Sequence, residues 1–141
     1  FKKYKSISKE LGIEDRIKFH GRLNDIEKLT ILQESDILIL PSITPNEAFG
    51  IVQLEAMASE TIPIATDIDK SGVSWVGNIR NFLNLDIINK DNLGEVIDKL
   101  WLEKDTFENC KLYSKQRYIK IFSRDCWMKN INQYFDIEIL N

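Results

Sequence analysis

Little in this chain of 141 residues points to redox or metal chemistry. It holds 2 cysteines, Cys110 and Cys126, and 1 histidine, His20. The cysteines form no CxxC pair and no Cys/His cluster, so spacing gives no zinc site. They read as reduced residues of a cytoplasmic protein. No apolar run approaches the roughly 20 residues that a membrane span needs. The lysine-rich opening lacks the apolar centre of a signal peptide. The net charge is −3 and no dense Lys/Arg stripe interrupts it, so no nucleic-acid partner is expected. Repeats, low-complexity tracts and linkers are absent. With 43% hydrophobic and 29% charged residues, the chain has the make-up of one globular domain, 1–141, able to bury a core.

The apolar pattern predicts alternating elements. Residues 1–11 read as a helix with Tyr4, Ile7 and Leu11 on one face and Gly12 as its stop. Residues 16–20 alternate polar and apolar, as a half-solvated or edge strand does. Asn24 or Asp25 can cap a helix carrying Ile26, Leu29, Ile31 and Leu32. Residues 36–40 are a continuous apolar run, expected to be buried on both faces of a parallel sheet. Residues 61–68 read as a second buried strand, with Pro63 near its start, and 81–86 as a weaker one. Asp91 or Asn92 caps a helix with Leu93, Val96, Ile97, Leu100 and Trp101 on one face. Helices over 107–122 and 125–137 follow. Strands alternating with helices imply an α/β fold, a Rossmann-like parallel sheet flanked by helices. Ligands of such sheets bind beyond the carboxyl ends of the strands. Three of those ends carry distinctive residues: His20-Gly21, Pro41-Ser42 and Thr66-Asp67.

The most informative stretch leaves the second of those ends. Pro41 stops the strand, a short polar loop follows, and a helix is expected to open near Phe49-Gly50, with Ile51, Leu54 and Ala58 on its apolar face. Glu47 precedes this helix and Glu55 falls in its expected second turn. Unpaired amides at a helix start suit a phosphate, and a glycine without Cβ, Gly50, would let an anion approach. A carboxylate at Glu55 is wrong for phosphate but right for the vicinal hydroxyls of a ribose. Glu47 could meet a second hydroxylated group. The pattern describes a sugar nucleotide. Two glutamates at this spacing also occur by chance on solvated helices, so the spacing alone is weak.

Glu47 and Glu55 with Phe49-Gly50 and Glu55-Ala56-Met57-Ala58 resemble the signature of retaining glycosyltransferases of family 4, also called group 1, which have the GT-B fold. Lys18-Phe19-His20-Gly21, residues 36–42, and Ile62-Pro63-Ile64-Ala65-Thr66 resemble that family's strands in order. Ser71-Gly72-Val73-Ser74-Trp75-Val76 resembles a segment of bacterial polysaccharide transferases. The resemblance covers roughly residues 1–100. It implies transfer of a sugar from a nucleotide sugar to an acceptor, with retention, in surface polysaccharide assembly. It assigns the donor diphosphate to Phe49, Gly50 and Ile51, the ribose to Glu55 and the transferred sugar to Glu47, as the catalytic residue. It puts the base against Gly21, Arg22 and Leu23, with Ser42 bordering the cleft. It implies no metal and no cofactor. Trp75 is weighed as a base-stacking ring and read as a packing one.

The resemblance also implies that this is the carboxyl-terminal, donor-binding part of a larger enzyme. An acceptor domain and two strands with an Arg/Lys pair are expected before Phe1. The acceptor, a glycan or a lipid-linked group, would bind through that domain, in the cytoplasm or at the inner face of a membrane. With those strands gone, the expected sheet pairs 16–20 directly with 36–40, then 62–66, then 82–85. Alone, the chain is expected to be inactive. Two positions depart from the family. Glu60 and Lys70 stand where glycines are usual, and Glu60 is expected at strained positive φ. The alternatives are a non-enzymatic nucleotide-sugar-binding module and another GT-B enzyme such as a sugar-nucleotide epimerase. The Glu47/Glu55 pair with Phe49-Gly50 favours a transferase over an epimerase.

Overall fold

A computed structural model describes residues 1–135. The first helix, α1 (Lys2–Glu10), ends where Gly12 turns left-handed at φ +64. Its expected apolar face is not buried: Tyr4 and Leu11 are exposed, and Ser8 is the buried residue. Helix α2 (Asp25–Gln33) opens with a reciprocal cap. The Glu27 amide donates to Asn24 Oδ1 and the Asn24 amide to Glu27 Oε2, both at 2.9 Å, which satisfies two amides a helix start leaves open. The chain then forms β1 (Ile37–Leu40), α3 (Val52–Ala58) and β2 (Ile62–Ala65). The two strands are parallel, with Ile37 opposite Ile62 and Leu40 opposite Ala65.

Short helices α4 (Val73–Gly77) and α5 (Ile79–Phe82) follow β2. Helices α6 (Leu93–Leu102), α7 (Lys104–Arg117) and α8 (Arg124–Phe135) complete the described chain, with a π-helical turn, Tyr118–Phe122, between the last two. Two positions of the helix expected over 125–137 lie outside the described residues. The fold is α/β, a small parallel sheet flanked by helices. Ile62 and Ile64 from β2 meet Ile79, Ile88, Val96, Leu100 and Cys110 in the core. On the other face Pro63 lies against Gly77, where an added Cβ would come within 3.1 Å of the proline ring.

Several expectations fail. Residues 16–20 are not a strand: a 3-10 turn, Glu14–Arg16, leads into extended but unpaired chain. Among the described residues no backbone hydrogen bond joins 16–20 to β1, so the sheet has 2 strands and the expected pairing is wrong. Alternation predicts extended backbone, which Ile17 has at φ −118 and ψ 123, but it does not name a partner edge. The apolar side chain of this stretch finds other company, since Phe19 meets the Phe1 ring edge-on at 5.9 Å. With one neighbouring strand, β1 is only half buried, and Ile39 is 40% exposed.

Residues 81–86 are not a strand either. Asn81 and Asn84 prefer local bonding to a ladder. Asn81 Nδ2 donates to Asn78 Oδ1 at 2.7 Å, and Asn78 and Asn84 turn left-handed. Ile88 takes the place beside β2. The Asp67 amide donates to its carbonyl at 2.7 Å, and the Ile88 amide donates to Asp67 Oδ2 at 2.7 Å. Trp101 leaves the buried face of α6 and stays 64% exposed, edge-on to Phe107.

Glu60 and Lys70 do adopt positive φ, +64 and +59. Glu60 has a compensation, an ion pair with Lys115 at 2.5 Å, which holds its carboxyl below the usual range. Lys70 is exposed. A left-handed L-residue costs about 1–2 kcal/mol, of which a glycine returns ~0.4–1 through its freer unfolded chain. Lys70→Gly should therefore stabilise the protein by ~0.5–1 kcal/mol. A raised urea midpoint checks this. A lowered midpoint would mean that the lysine side chain does more for the fold than its backbone costs.

Candidate functional site

The loop after β1 and the start of α3 carry the central candidates. Helix α3 opens at Val52, later than expected, so Glu55 lies in its first turn rather than its second. Its buried face is Gln53, Ala56 and Met57, not Ile51, Leu54 and Ala58; Ile51 is 66% exposed. The reason is the turn at Gly50, φ +73, which delays the helix and rotates it. Gly50 itself is not an open approach for an anion. A Cβ there would lie 2.7 Å from Leu40 Cδ2 and 2.8 Å from Gln53 Nε2. The glycine is needed because β1 and α3 pack into the space a side chain would occupy. Its amide donates to Glu47 Oε1 at 3.1 Å, so the Glu47 carboxylate folds back on its own loop.

Glu55 is tied across to α2. Lys28 Nζ donates to its Oε1 at 2.6 Å, and the Glu55 carboxylate holds the Lys28 ammonium above its ordinary pKa. Asp25 lies 3.6 Å from the same ammonium. The pair sits on a cleft of about 560 Å³ between α2 and α3, lined also by Leu29, Leu32, Leu54 and Phe122. Lys28 is the member the sequence did not single out. Nothing local marks it, because it meets Glu55 only when two helices pack.

The remaining candidates fall on either side. Arg22 and Leu23 line a shallow hollow that shares Asp25 with the Glu55 cleft. Gly21, at φ +74, turns the chain into it. Ser42 lines a cavity of about 710 Å³ at the carboxyl ends of β1 and β2, with Thr66, Asp67, Lys70 and Lys90. The Ser42 carbonyl accepts from the Thr66 hydroxyl, which ties the two strand ends together. Phe49 packs its ring near Trp75 and Phe122, at 6.5 and 6.2 Å between centroids. Arg117 lies over both of those rings and donates to the Trp75 and Val76 carbonyls. Trp75 is thus a packing ring that keeps one side open, at 52% exposure.

Elsewhere the chemistry is quieter. Burial pushes the Cys110 thiol up to about 11, so it is a core residue and no nucleophile. Among the described residues no helix is long and apolar enough to cross a membrane.

The sequence model described as Glycosyl transferases group 1 matches residues 1–117. A D-inositol 3-phosphate glycosyltransferase of Corynebacterium glutamicum is 38% identical over 65 residues, 46% of this chain and 15% of that protein. A phosphatidyl-myo-inositol mannosyltransferase of Mycobacterium leprae is 38% identical over 58 residues, 41% of this chain and 15% of that protein. Its counterpart in Mycobacterium tuberculosis is 38% identical over 53 residues, 38% of this chain and 14% of that protein. The matched stretch thus spans about 15% of the length of these relatives. No solved structure matches the chain.

Proposed function

The chain belongs to the glycosyl transferases group 1 family, and from that premise we propose that it binds the nucleotide-sugar donor of a retaining sugar transfer. The observation that carries this reading is the Glu55 carboxylate, held by Lys28 at 2.6 Å on the α2–α3 cleft, at the start of the helix that the Glu47–Gly50 loop leads into. Ribose hydroxyls are the ligand group such a carboxylate prefers, since it accepts hydrogen bonds and repels phosphate. The base lies against Gly21, Arg22 and Leu23, and Ser42 borders the site. The diphosphate lies along the loop at Phe49 and Ile51, Gly50 serving to turn the chain there while its amide is spent on Glu47, and the sugar meets Glu47.

Bond breaking leaves negative charge on the departing diphosphate. On this reading amide donors and side-chain cations answer that charge, and no metal is needed. The relatives' names put the acceptor hydroxyl on an inositol phosphate or on phosphatidyl-myo-inositol. A polyol or glycan hydroxyl is the acceptor class proposed for this chain.

Glu55→Ala in the full-length protein tests the donor site. It should weaken binding of uridine or guanosine diphosphate by ~1–3 kcal/mol, the loss expected for hydrogen bonds to a charged group. Calorimetry reads the change directly. Unchanged affinity for both nucleotides would refute the ribose assignment.

A further inference from the structure

We propose that Ser71 is a positioning residue for the Glu47 loop, acting through the loop's carbonyls from the far side. The inference rests on the reading of that loop as donor site. Ser71 Oγ donates to the Glu47 carbonyl at 2.6 Å and lies 3.5 Å from the Ala48 carbonyl. The same oxygen accepts from the Val73 amide at 3.2 Å, so its single proton is directed at the loop. The next residue continues the contact: the Gly72 amide donates to the Ala48 carbonyl at 2.9 Å. A Cβ at Gly72 would fall 3.2 Å from that carbonyl, closer than most such contacts.

Gln53 closes the arrangement. It is 1% exposed, and its Nε2 donates to the Val73 carbonyl at 2.9 Å and reaches the Phe49 carbonyl at 3.5 Å. Three successive carbonyls, of Glu47, Ala48 and Phe49, are thus held by Ser71, Gly72 and Gln53. Among the described residues no peptide bond is cis, and in a trans peptide the amide points opposite its carbonyl. The amides of Ala48 and Phe49 therefore leave the loop on the side away from Ser71 and Gly72, and that of Gly50 on the side away from Gln53. Gly50 spends its amide on Glu47 Oε1, while those of Ala48 and Phe49 have no partner among the described residues. Holding the carbonyls from behind fixes where these donors and the Glu47 carboxylate point. The hydroxyl is short, and Ser71 stands two residues before α4, which packs on β2, so its place is held by the fold.

The test compares Ser71→Ala and Ser71→Thr with the wild type in the full-length protein, using two readouts. Hydrogen exchange follows the amides of Gly50 and Gly72, which donate to Glu47 Oε1 and to the Ala48 carbonyl, and calorimetry follows uridine and guanosine diphosphate. Ser71→Ala should speed exchange at those amides and weaken the nucleotide bound by the wild type about tenfold, the effect of one hydrogen bond lost. Ser71→Thr keeps the hydroxyl and should restore both. Wild-type exchange and affinity in Ser71→Ala would overturn the proposal, as would a failure of Ser71→Thr to restore them. Faster exchange in Ser71→Ala with no nucleotide bound by the wild type would keep the hold of Ser71 on the loop and sink the donor-site reading alone.

Discussion

Glu47→Gln should lower sugar transfer by the full-length protein about a hundredfold or more, while its affinity for nucleoside diphosphate changes little. The substitution is chosen for what it keeps. Glutamine has the length of glutamate, and its carbonyl oxygen can still accept from the Gly50 amide, the bond that now fixes Glu47 Oε1 at 3.1 Å. The loop should therefore hold its shape. On the proposed reading, what is lost is a negative charge beside the sugar, where positive charge develops at the anomeric carbon as the diphosphate leaves. An interaction made only in the transition state lowers turnover and leaves ground-state binding alone. Turnover and affinity falling together would make Glu47 a structural or binding residue. A wild type that binds the nucleotide sugar and transfers nothing to any acceptor would favour a binding module.

Gly50→Ala should lower the stability of the protein by about 2–5 kcal/mol. Two penalties add at one position. The backbone sits at φ +73, which costs a residue with a Cβ about 1–2 kcal/mol. The new methyl would stand 2.7 Å from Leu40 Cδ2 and 2.8 Å from Gln53 Nε2, and overpacking of that kind costs about 1–3 kcal/mol. A total near 2–5 kcal/mol is a large part of the roughly 5–15 kcal/mol that keeps a domain folded. Urea unfolding followed by tryptophan fluorescence should show a clearly lowered midpoint. An unchanged midpoint would mean that β1 and α3 can part at no cost, and that the glycine is dispensable to the packing.

That glycine also shows what the sequence could and could not tell. Its presence at a strand-to-helix turn was legible, and so was the turn. Its reason was not, because the atoms that crowd it come from Leu40 on one side and Gln53 on the other. Strand β2 was legible from its apolar run, and its four residues are all buried. The cap of α2 was legible only as Asn24 or Asp25; the structure gives Asn24, with Glu27 closing the reciprocal bond. Residues 16–20 misled because alternation reports how side chains face, not which edge accepts the backbone. Residues 81–86 misled because asparagine bonds to its own neighbourhood more readily than to a ladder. In the candidate site, Glu47 and Glu55 announce themselves by position and Ser71 by the segment it opens, whereas Lys28 and Gln53 make their contacts across the chain and leave no local signature. The family was legible in the central block, since Glu47 to Ala58 is one continuous local pattern.

The rings of Phe49, Trp75 and Phe122 each touch the other two, at 6.5, 6.2 and 5.4 Å between centroids. Residues that share a contact do not contribute independently, so the effect of changing one depends on which others are present. This ties the history of the loop to the history of the π-helical turn. The effect of a substitution at Phe122 should depend on the residue at 49, and Trp75 is in contact with both. Paired substitutions among the three positions should therefore give stability effects that differ from the sum of the single ones. Domain grafts that exchange the segment after Arg117 without exchanging Phe49 inherit a mismatch at the loop that carries Glu47.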